Sequence, residues 1–162
     1  MNKLKKLSDH YDWVTEISSK TIVGLKKTSD MLEVTHNIFF KQYGISNTKF
    51  NVLIILYEEQ KNGIMLSEIG EQMLVTKANI TGLIDRLEKD GFVKRTRDEK
   101  DRRKIMAVIT KKGIEFTEKV KVEYKKWVEN LMSELKEEEK NQLIATLSKL
   151  QNALIKSYEF HE

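Results

Sequence analysis

The sequence predicts a mainly α-helical fold with one small antiparallel β-hairpin. Apolar residues recur at helical spacing over most of the chain, which is the main sign of amphipathic helices. Proline is absent and 33% of the 162 residues are charged, a composition that suits long helices with solvated faces. Near the middle, two short extended runs flank a polar segment, as two paired strands do.

Two helices are predicted first. The first covers residues 21–43 and ends at Gly44, which is placed to act as a C-terminal cap. The second follows a cap at Ser46 or Thr48 and is broken at Asn62-Gly63. The apolar residues of the first are Ile22, Leu25, Leu32, Phe39 and Phe40, and those of the second are Phe50, Leu53, Ile54 and Tyr57.

Two short helices joined by a tight turn are predicted next. Ser67 is expected to cap the first, which carries Ile69 and Met73 on one face. After a turn at Leu74-Val75, Thr76 is expected to cap the second, over residues 77–89. Its apolar stripe at helical spacing comprises Ile80, Leu83, Ile84 and Leu87. This order predicts a helix-turn-helix.

A basic hairpin follows. Gly91 stops the preceding helix, and residues 92–97 and 104–109 are the predicted strands, joined by the polar segment DEKDRR. Residues 94–104 contain seven Lys or Arg and three Asp or Glu. The net charge of this segment, +4, equals that of the whole chain. A local basic cluster on a neutral body indicates contact with a polyanion. A hairpin after a helix-turn-helix is a wing, so the predicted architecture is a winged helix-turn-helix.

The chain ends with two helical patterns. Thr110 is expected to cap a long helix, and a charged junction at residues 136–140 precedes the last one. The first carries Phe116, Val120, Tyr124, Trp127, Val128 and Leu131, and the last carries Leu143, Ile144, Leu147, Leu150 and Leu154.

The polar face of the helix over residues 77–89 fits the major groove of DNA. Small side chains allow close approach, Asn and Thr bond base edges, and Lys or Arg binds guanine or phosphate. The alternative is an ordinary solvated face. The residues predicted to contact DNA from this helix and its cap are Thr76, Lys77, Ala78, Asn79, Thr81, Gly82 and Arg86.

The wing strengthens the DNA interpretation, although a lone charged turn is usually just solvated. An arginine that enters a narrow minor groove gains from the negative potential there. Acidic residues in the tip make sense if one pairs with an arginine and fixes its direction. The predicted wing contacts are Arg97, Lys100, Asp101, Arg102 and Arg103.

From about residue 20 to 157 the chain resembles the MarR family of winged-helix transcriptional regulators. The most specific similarity is the wing signature, Asp101-Arg102-Arg103 followed by Val108-Ile109-Thr110 and Gly113. Gly44-Ile45-Ser46 is similar to the family pattern before the second helix. Departures are Gly70 in place of a usual alanine, Lys49 in place of a frequent glutamine, Ile109 in place of leucine, and the absence of the wing proline.

The resemblance implies a homodimer on a pseudo-palindromic operator in double-stranded DNA, with Arg103 in the minor groove and Asp101 orienting it. It implies an N-terminal segment and first dimerisation helix over residues 1–45, a DNA-binding domain over 46–110 and dimerisation helices over 111–162. Packing into an intramolecular bundle is the alternative. The implied interface residues are Ile22, Leu25, Leu143, Leu147, Leu150 and Leu154.

Family members often bind small aromatic or phenolic effectors between the dimer helices and the DNA-binding lobe. The candidate wall residues are His36, Phe40, Tyr43, Phe50, Tyr57, Tyr124 and Trp127. The alternative for each is ordinary core or interface packing. The resulting prediction is a homodimeric, sequence-specific repressor released by a small ligand.

Several function classes are disfavoured. The chain has no cysteine, which excludes disulfides and thiol sensing and favours a cytoplasmic location. No cofactor or metal is expected, because His10, His36 and His161 form no ligand-spaced cluster. No apolar run predicts a membrane span or an export signal, and no catalytic constellation predicts an enzyme.

Two other classes compete with sequence-specific repression. One is a non-specific nucleic-acid-binding or architectural protein, which would differ in its ratio of specific to random-sequence affinity. The other is a helical partner-binding protein without DNA binding, against which Asn79, Arg86, Asp101 and Arg103 argue.

Overall fold

The computed structural model describes residues 15–59, 63–97 and 104–159. Its helices are α1 (Ile17–Lys41), α2 (Asn47–Glu58), α3 (Leu66–Gln72), α4 (Lys77–Lys89), α5 (Lys111–Leu131) and α6 (Glu137–Glu159). Its strands are β1 (Ile64–Met65), β2 (Val93–Arg97) and β3 (Ile105–Ile109), paired antiparallel in the order β1-β3-β2. The predicted mainly helical fold with a helix-turn-helix (α3–α4) and a wing (β2–β3) is confirmed.

The prediction missed the third strand and misplaced one cap. Strand β1 is only two residues long, with Ile64 opposite Ala107 on β3, and so short a run has no periodicity to recognise. Ser67 is not the cap of α3, because the helix already begins at Leu66. Pairing with β3 holds Met65 extended, and the Met65 backbone N–H donates to the Glu68 carboxylate over 3.3 Å.

The starts of α2 and α4 and the end of α4 follow the predicted caps. Ser46 accepts a bond from the Lys49 backbone N–H, and Thr76 accepts one from the Asn79 backbone N–H over 3.4 Å. Gly91 ends α4 in the left-handed region with φ of 78°, a conformation that glycine adopts without steric cost. Helix α1 covers residues 17–41 rather than the predicted 21–43, and its C-terminal cap is Gln42 rather than the predicted Gly44. Gly44, with φ of 69°, belongs to the turn that follows.

The start of α5 is fastened to the start of the wing. The Thr110 hydroxyl donates to the Gly91 carbonyl over 2.8 Å and accepts from the Gly113 backbone N–H over 3.0 Å. A Cβ on Gly113 would overlap the Phe92 carbonyl and lie 2.7 Å from Cγ1 of Ile109. Only glycine therefore allows α5 to approach the wing this closely.

The chain divides into two compact units within α5, one up to Val120 and one from Lys121. The core of the first unit lies under the helix-turn-helix and the sheet. Its largest fully buried side chains include Phe40, Leu53, Leu56, Ile69, Ile80, Ile84, Leu87 and Val93. Within the described ranges, no helix combines the length and apolar character needed to cross a membrane.

Candidate nucleic-acid interface

Helix α4 has an apolar face in the core and a polar face toward solvent. Ile80, Ile84 and Leu87 are fully buried, because they recur at helical spacing. The predicted DNA-contacting residues lie on the accessible side: Thr76, Lys77, Ala78, Asn79, Thr81 and Arg86 are exposed, and Gly82 is half-buried. The structure thus presents all seven to one solvent-accessible surface.

A cleft of about 380 Å³ runs between α4 and the start of α2. Its polar lining residues include Ser46, the cap of α2, and Thr48 of α2, together with Asn79 and Arg86 of α4. The first backbone N–H groups of a helix carry partial positive charge and attract anions such as phosphate. Ser46 and Thr48 were predicted only as capping residues. Their position opposite α4 is a long-range contact that local sequence patterns do not reveal.

Gly82 leaves a gap on the solvent-facing side of α4, because it has no side chain. A Cβ at this position would lie 3.7 Å from Nη1 of Arg86, an ordinary van der Waals distance. Packing therefore does not require glycine here, although glycine in a helix interior costs about 1 kcal/mol relative to alanine. The Arg86 guanidinium lies close to this gap, and the missing side chain leaves room for close approach by a ligand.

The wing contributes one described residue of the predicted set. Arg97 ends β2 and is exposed, opposite the partly exposed Ile105 of β3. The predicted contacts Lys100, Asp101, Arg102 and Arg103 lie outside the described residues. Arg95, which the sequence interpretation did not select, lies half-buried between β2 and α4, where it pairs with Asp85 and Glu88.

Three of the predicted ligand-wall residues pack together in the first unit. The rings of Phe40 and Phe50 are buried, with centroids 4.8 Å apart. His36 stacks on Phe40 at 6.3 Å, and its Nδ1 lies 2.7 Å from the Leu32 carbonyl oxygen. Tyr43 is half-buried. Phe40 and Phe50 thus contribute to the core, whereas His36 and Tyr43 retain accessible surface.

The remaining predicted wall residues belong to different units. Tyr57 is half-buried in the first unit and donates a hydrogen bond to the Glu118 carboxylate over 3.0 Å. Tyr124 and Trp127 lie in the second unit, with ring centroids 5.6 Å apart. Burial raises the pKa of the Tyr124 phenol above its ordinary value.

The predicted interface residues lie on the surface of the single chain. Ile22 on α1 and Leu154 on α6 are more than half exposed, at 53% and 58%. Leu25 and Leu143 are also exposed, whereas Leu147 and Leu150 are half-buried. Apolar side chains that stay exposed in the single chain are candidates for burial in an interface.

In the part of the chain that the structure describes, no group of three or more His, Cys, Asp or Glu side chains is placed to hold a metal ion. Of the three histidines, His10 and His161 lie outside the described residues.

Comparison with known proteins decides the family. The MarR family model matches residues 45–105, which include the helix-turn-helix. The transcriptional repressor MprA of Escherichia coli K12 is 31% identical over 92% of this chain and 84% of its own length. The chain belongs to the MarR family of DNA-binding transcriptional regulators. A second relative, the uncharacterized HTH-type regulator YkoM of Bacillus subtilis, is 36% identical over 67% of this chain and 70% of its own length.

Solved MarR-family structures share the fold. The S. aureus MepR–DNA complex matches with a TM-score of 0.74 at 24% identity, over 86% of this chain and 99% of MepR. CouR from Rhodococcus jostii RHA1, solved with p-coumaroyl-CoA, matches with a TM-score of 0.70 at 24% identity, over 85% of this chain and 95% of CouR. The resemblance to the MarR family is thus confirmed in sequence and in fold.

Proposed function

We propose that this MarR-family protein is a homodimeric, sequence-specific repressor that a small ligand releases from its operator. The observation that carries the proposal is the exposed face of α4, where small, hydrogen-bonding and basic side chains lie together opposite a buried apolar stripe. Relatives support the direction of control, because MprA is a repressor by name.

The proposed reading of DNA assigns a role to each part of the interface. Helix α4 enters the major groove, where Asn79 and Thr81 bond base edges and Lys77 and Arg86 bind guanine or phosphate. Ala78 and Gly82 allow the helix to approach closely, and the Thr76 end of the helix faces the phosphates. The proposed wing contacts are Arg97, Lys100, Arg102 and Arg103, of which Arg103 enters the minor groove with Asp101 orienting it.

The proposed assembly is a dimer of the terminal helices, with residues 46–110 as the DNA-binding part between residues 1–45 and 111–162. The support is the exposed apolar surface of α1 and α6, which water disfavours at about 25 cal/mol per Å². Two copies would place two α4 helices on half-sites about one helical turn apart, which matches a pseudo-palindromic operator.

The proposed effector is a small aromatic compound. The support is the half-buried state of His36, Tyr43 and Tyr57, whose side chains combine flat apolar faces with hydrogen-bonding groups. The relative CouR was solved with p-coumaroyl-CoA, a phenolic acyl compound. Phe40, Phe50, Tyr124 and Trp127 remain further candidates for contact with the effector.

The test is selection of bound sequences from random duplexes, followed by fluorescence anisotropy with the selected duplex and a scrambled duplex of equal length. A strong preference for the selected duplex, in a half-site arrangement, supports sequence-specific repression. Equal affinity for both duplexes would instead favour a non-specific architectural protein. Addition of aromatic carboxylates and phenols to the preformed complex then tests ligand release.

A further inference from the structure

Arg95 contacts the recognition helix α4 at three points. Its Nη1 lies 2.9 Å from the Glu88 carboxylate, and its Nη2 pairs with the Asp85 carboxylate and lies 3.3 Å from the Thr81 carbonyl oxygen. Thr81, Asp85 and Glu88 follow one another at i, i+4 and i+7, so they lie along one side of the helix. One guanidinium thus spans successive turns of α4, which its planar fork of donors permits.

The backbone of Arg95 takes part as well. Strand β2 is at the edge of the sheet, because the strand order is β1-β3-β2. The backbone N–H of Arg95 points away from β3 and donates to the second carboxylate oxygen of Glu88 over 2.9 Å. An edge strand with free N–H groups needs a cover. Glu88 supplies it, so the main chain of β2 and the side chain of Arg95 are both attached to α4.

Arg95 does more than form a surface ion pair, because it also offsets negative charge on the helix that faces DNA in the proposed complex. Arg95 is only 26% exposed, and its two carboxylates stand on the helix that faces the phosphates in the proposed complex. Two unpaired carboxylates there would repel DNA. The guanidinium offsets part of that charge and leaves the opposite flank of α4, with Asn79 and Arg86, to contact the ligand.

We infer that Arg95 is a positioning residue, which holds wing strand β2 on α4 through Asp85 and Glu88 and so fixes the spacing between the two parts that read DNA. The inference rests on the proposed function. A loosened wing would still bind phosphates, because that attraction depends on charge more than on geometry. Contacts to base edges and to one minor groove, in contrast, require that both parts arrive in register.

The test compares Arg95→Ala with Arg97→Ala in the full-length protein, by anisotropy with the selected and the scrambled duplex. The two variants lose the same charge from the same strand, and Arg97 is exposed at its end. We expect Arg95→Ala to lower the ratio of selected to scrambled affinity about tenfold, the scale of a lost charge-assisted network. Arg97→Ala should weaken both duplexes to similar extents, as loss of one phosphate contact does.

A double-mutant cycle separates positioning from direct contact. In an Asp85→Asn/Glu88→Gln background, Arg95 no longer has its charged partners, so Arg95→Ala should change the ratio less than about twofold. The background variant itself should show the lower ratio and somewhat tighter scrambled-duplex binding, because two negative charges are gone. It also serves as the readout if Arg95→Ala does not fold, which thermal unfolding reports.

The possible results distinguish the inference from the proposed function. A wild-type protein without preference for any selected duplex overturns both. A wild-type protein with a clear preference, combined with an unchanged ratio in Arg95→Ala, overturns the positioning role alone. An equal loss from Arg95→Ala in both backgrounds also overturns it, because that result indicates direct contact with DNA. If Arg95→Ala does not fold, an unchanged ratio in Asp85→Asn/Glu88→Gln overturns it.

Discussion

The ammonium group of Lys49 lies 2.9 Å from the carboxylate of Asp90. Lys49 is in the first turn of α2 and Asp90 follows the last residue of α4, so the ion pair joins two helices that line the same cleft. Lys49, which stands in place of a glutamine that is frequent in the family, thus has a charged partner. The Lys49 side chain is only 18% exposed.

Removal of this ion pair should have a small effect on stability. Lys49→Ala is expected to lower the free energy of unfolding by up to about 1 kcal/mol, because partly exposed ion pairs contribute little more than that. Urea denaturation measures the change. Lys111→Ala is the control, because Lys111 is 92% exposed and 3.9 Å from Glu115. An equal effect of both variants would indicate that the Lys49–Asp90 pair does not link the helices.

Two glycines should respond in opposite directions to alanine. Gly113→Ala is expected to destabilise the protein by about 1–3 kcal/mol, because the new methyl group would overlap the Phe92 carbonyl. Gly24→Ala is expected to stabilise it by about 0.5–1 kcal/mol, because Gly24 lies inside α1 with nothing within 4 Å of a Cβ. Thermal or urea unfolding tests both. A tolerated alanine at position 113 would contradict the close approach of α5 to the wing.

The turn of the helix-turn-helix contains a strained leucine. Leu74 has φ of 52° and its side chain is 94% exposed. A non-glycine residue in this left-handed region costs about 1–2 kcal/mol. We expect Leu74→Gly to stabilise the protein by roughly 0.5–1 kcal/mol, whereas Leu74→Ala keeps the strain and should change stability by less than about 0.5 kcal/mol. Loss of stability in Leu74→Gly would contradict the proposed backbone strain at this position.

The predicted arrangement of helices agrees with the structure wherever apolar periodicity and a cap coincide. Helix α4 is the best case, since Thr76 and the buried Ile80, Ile84 and Leu87 fix its start and its inner face. Strand β1 escaped prediction because two residues carry no pattern. The ion pairs of Arg95 escaped for a different reason: charged residues on a strand and a helix have no shared periodicity, and the turn at Gly91 decides which of them meet.

Arg103, a proposed wing contact, provides a test of DNA reading. Arg103→Ala is expected to weaken binding to the selected duplex about tenfold or more, because an arginine in a narrow minor groove gains from its negative potential. Gel shift or anisotropy measures the loss. Arg103→Lys keeps the charge without the planar guanidinium and should recover only part of it. Unchanged affinity in Arg103→Ala would remove this residue from the interface.

The apolar surface of α6 provides a test of assembly. Leu154 is 58% exposed in the single chain, so Leu154→Asp should leave the fold of each chain intact and dissociate the proposed dimer. Burial of an unpaired charge in an apolar interface costs on the order of several kcal/mol. Sedimentation velocity measures the assembly state. Asn152→Asp places the same side chain on the opposite side of α6 and should remain dimeric. A dimeric Leu154→Asp would exclude this face from the interface.

The gap at Gly82 makes the proposed DNA-contacting face of α4 easy to alter by mutation. The nearest atoms to a Cβ there are 3.7 and 3.9 Å away and belong to the flexible Arg86 side chain, so a side chain can begin at this position without displacing the backbone. A saturation library at this single codon would therefore vary the chemistry of the proposed DNA-contacting face while the scaffold stays constant.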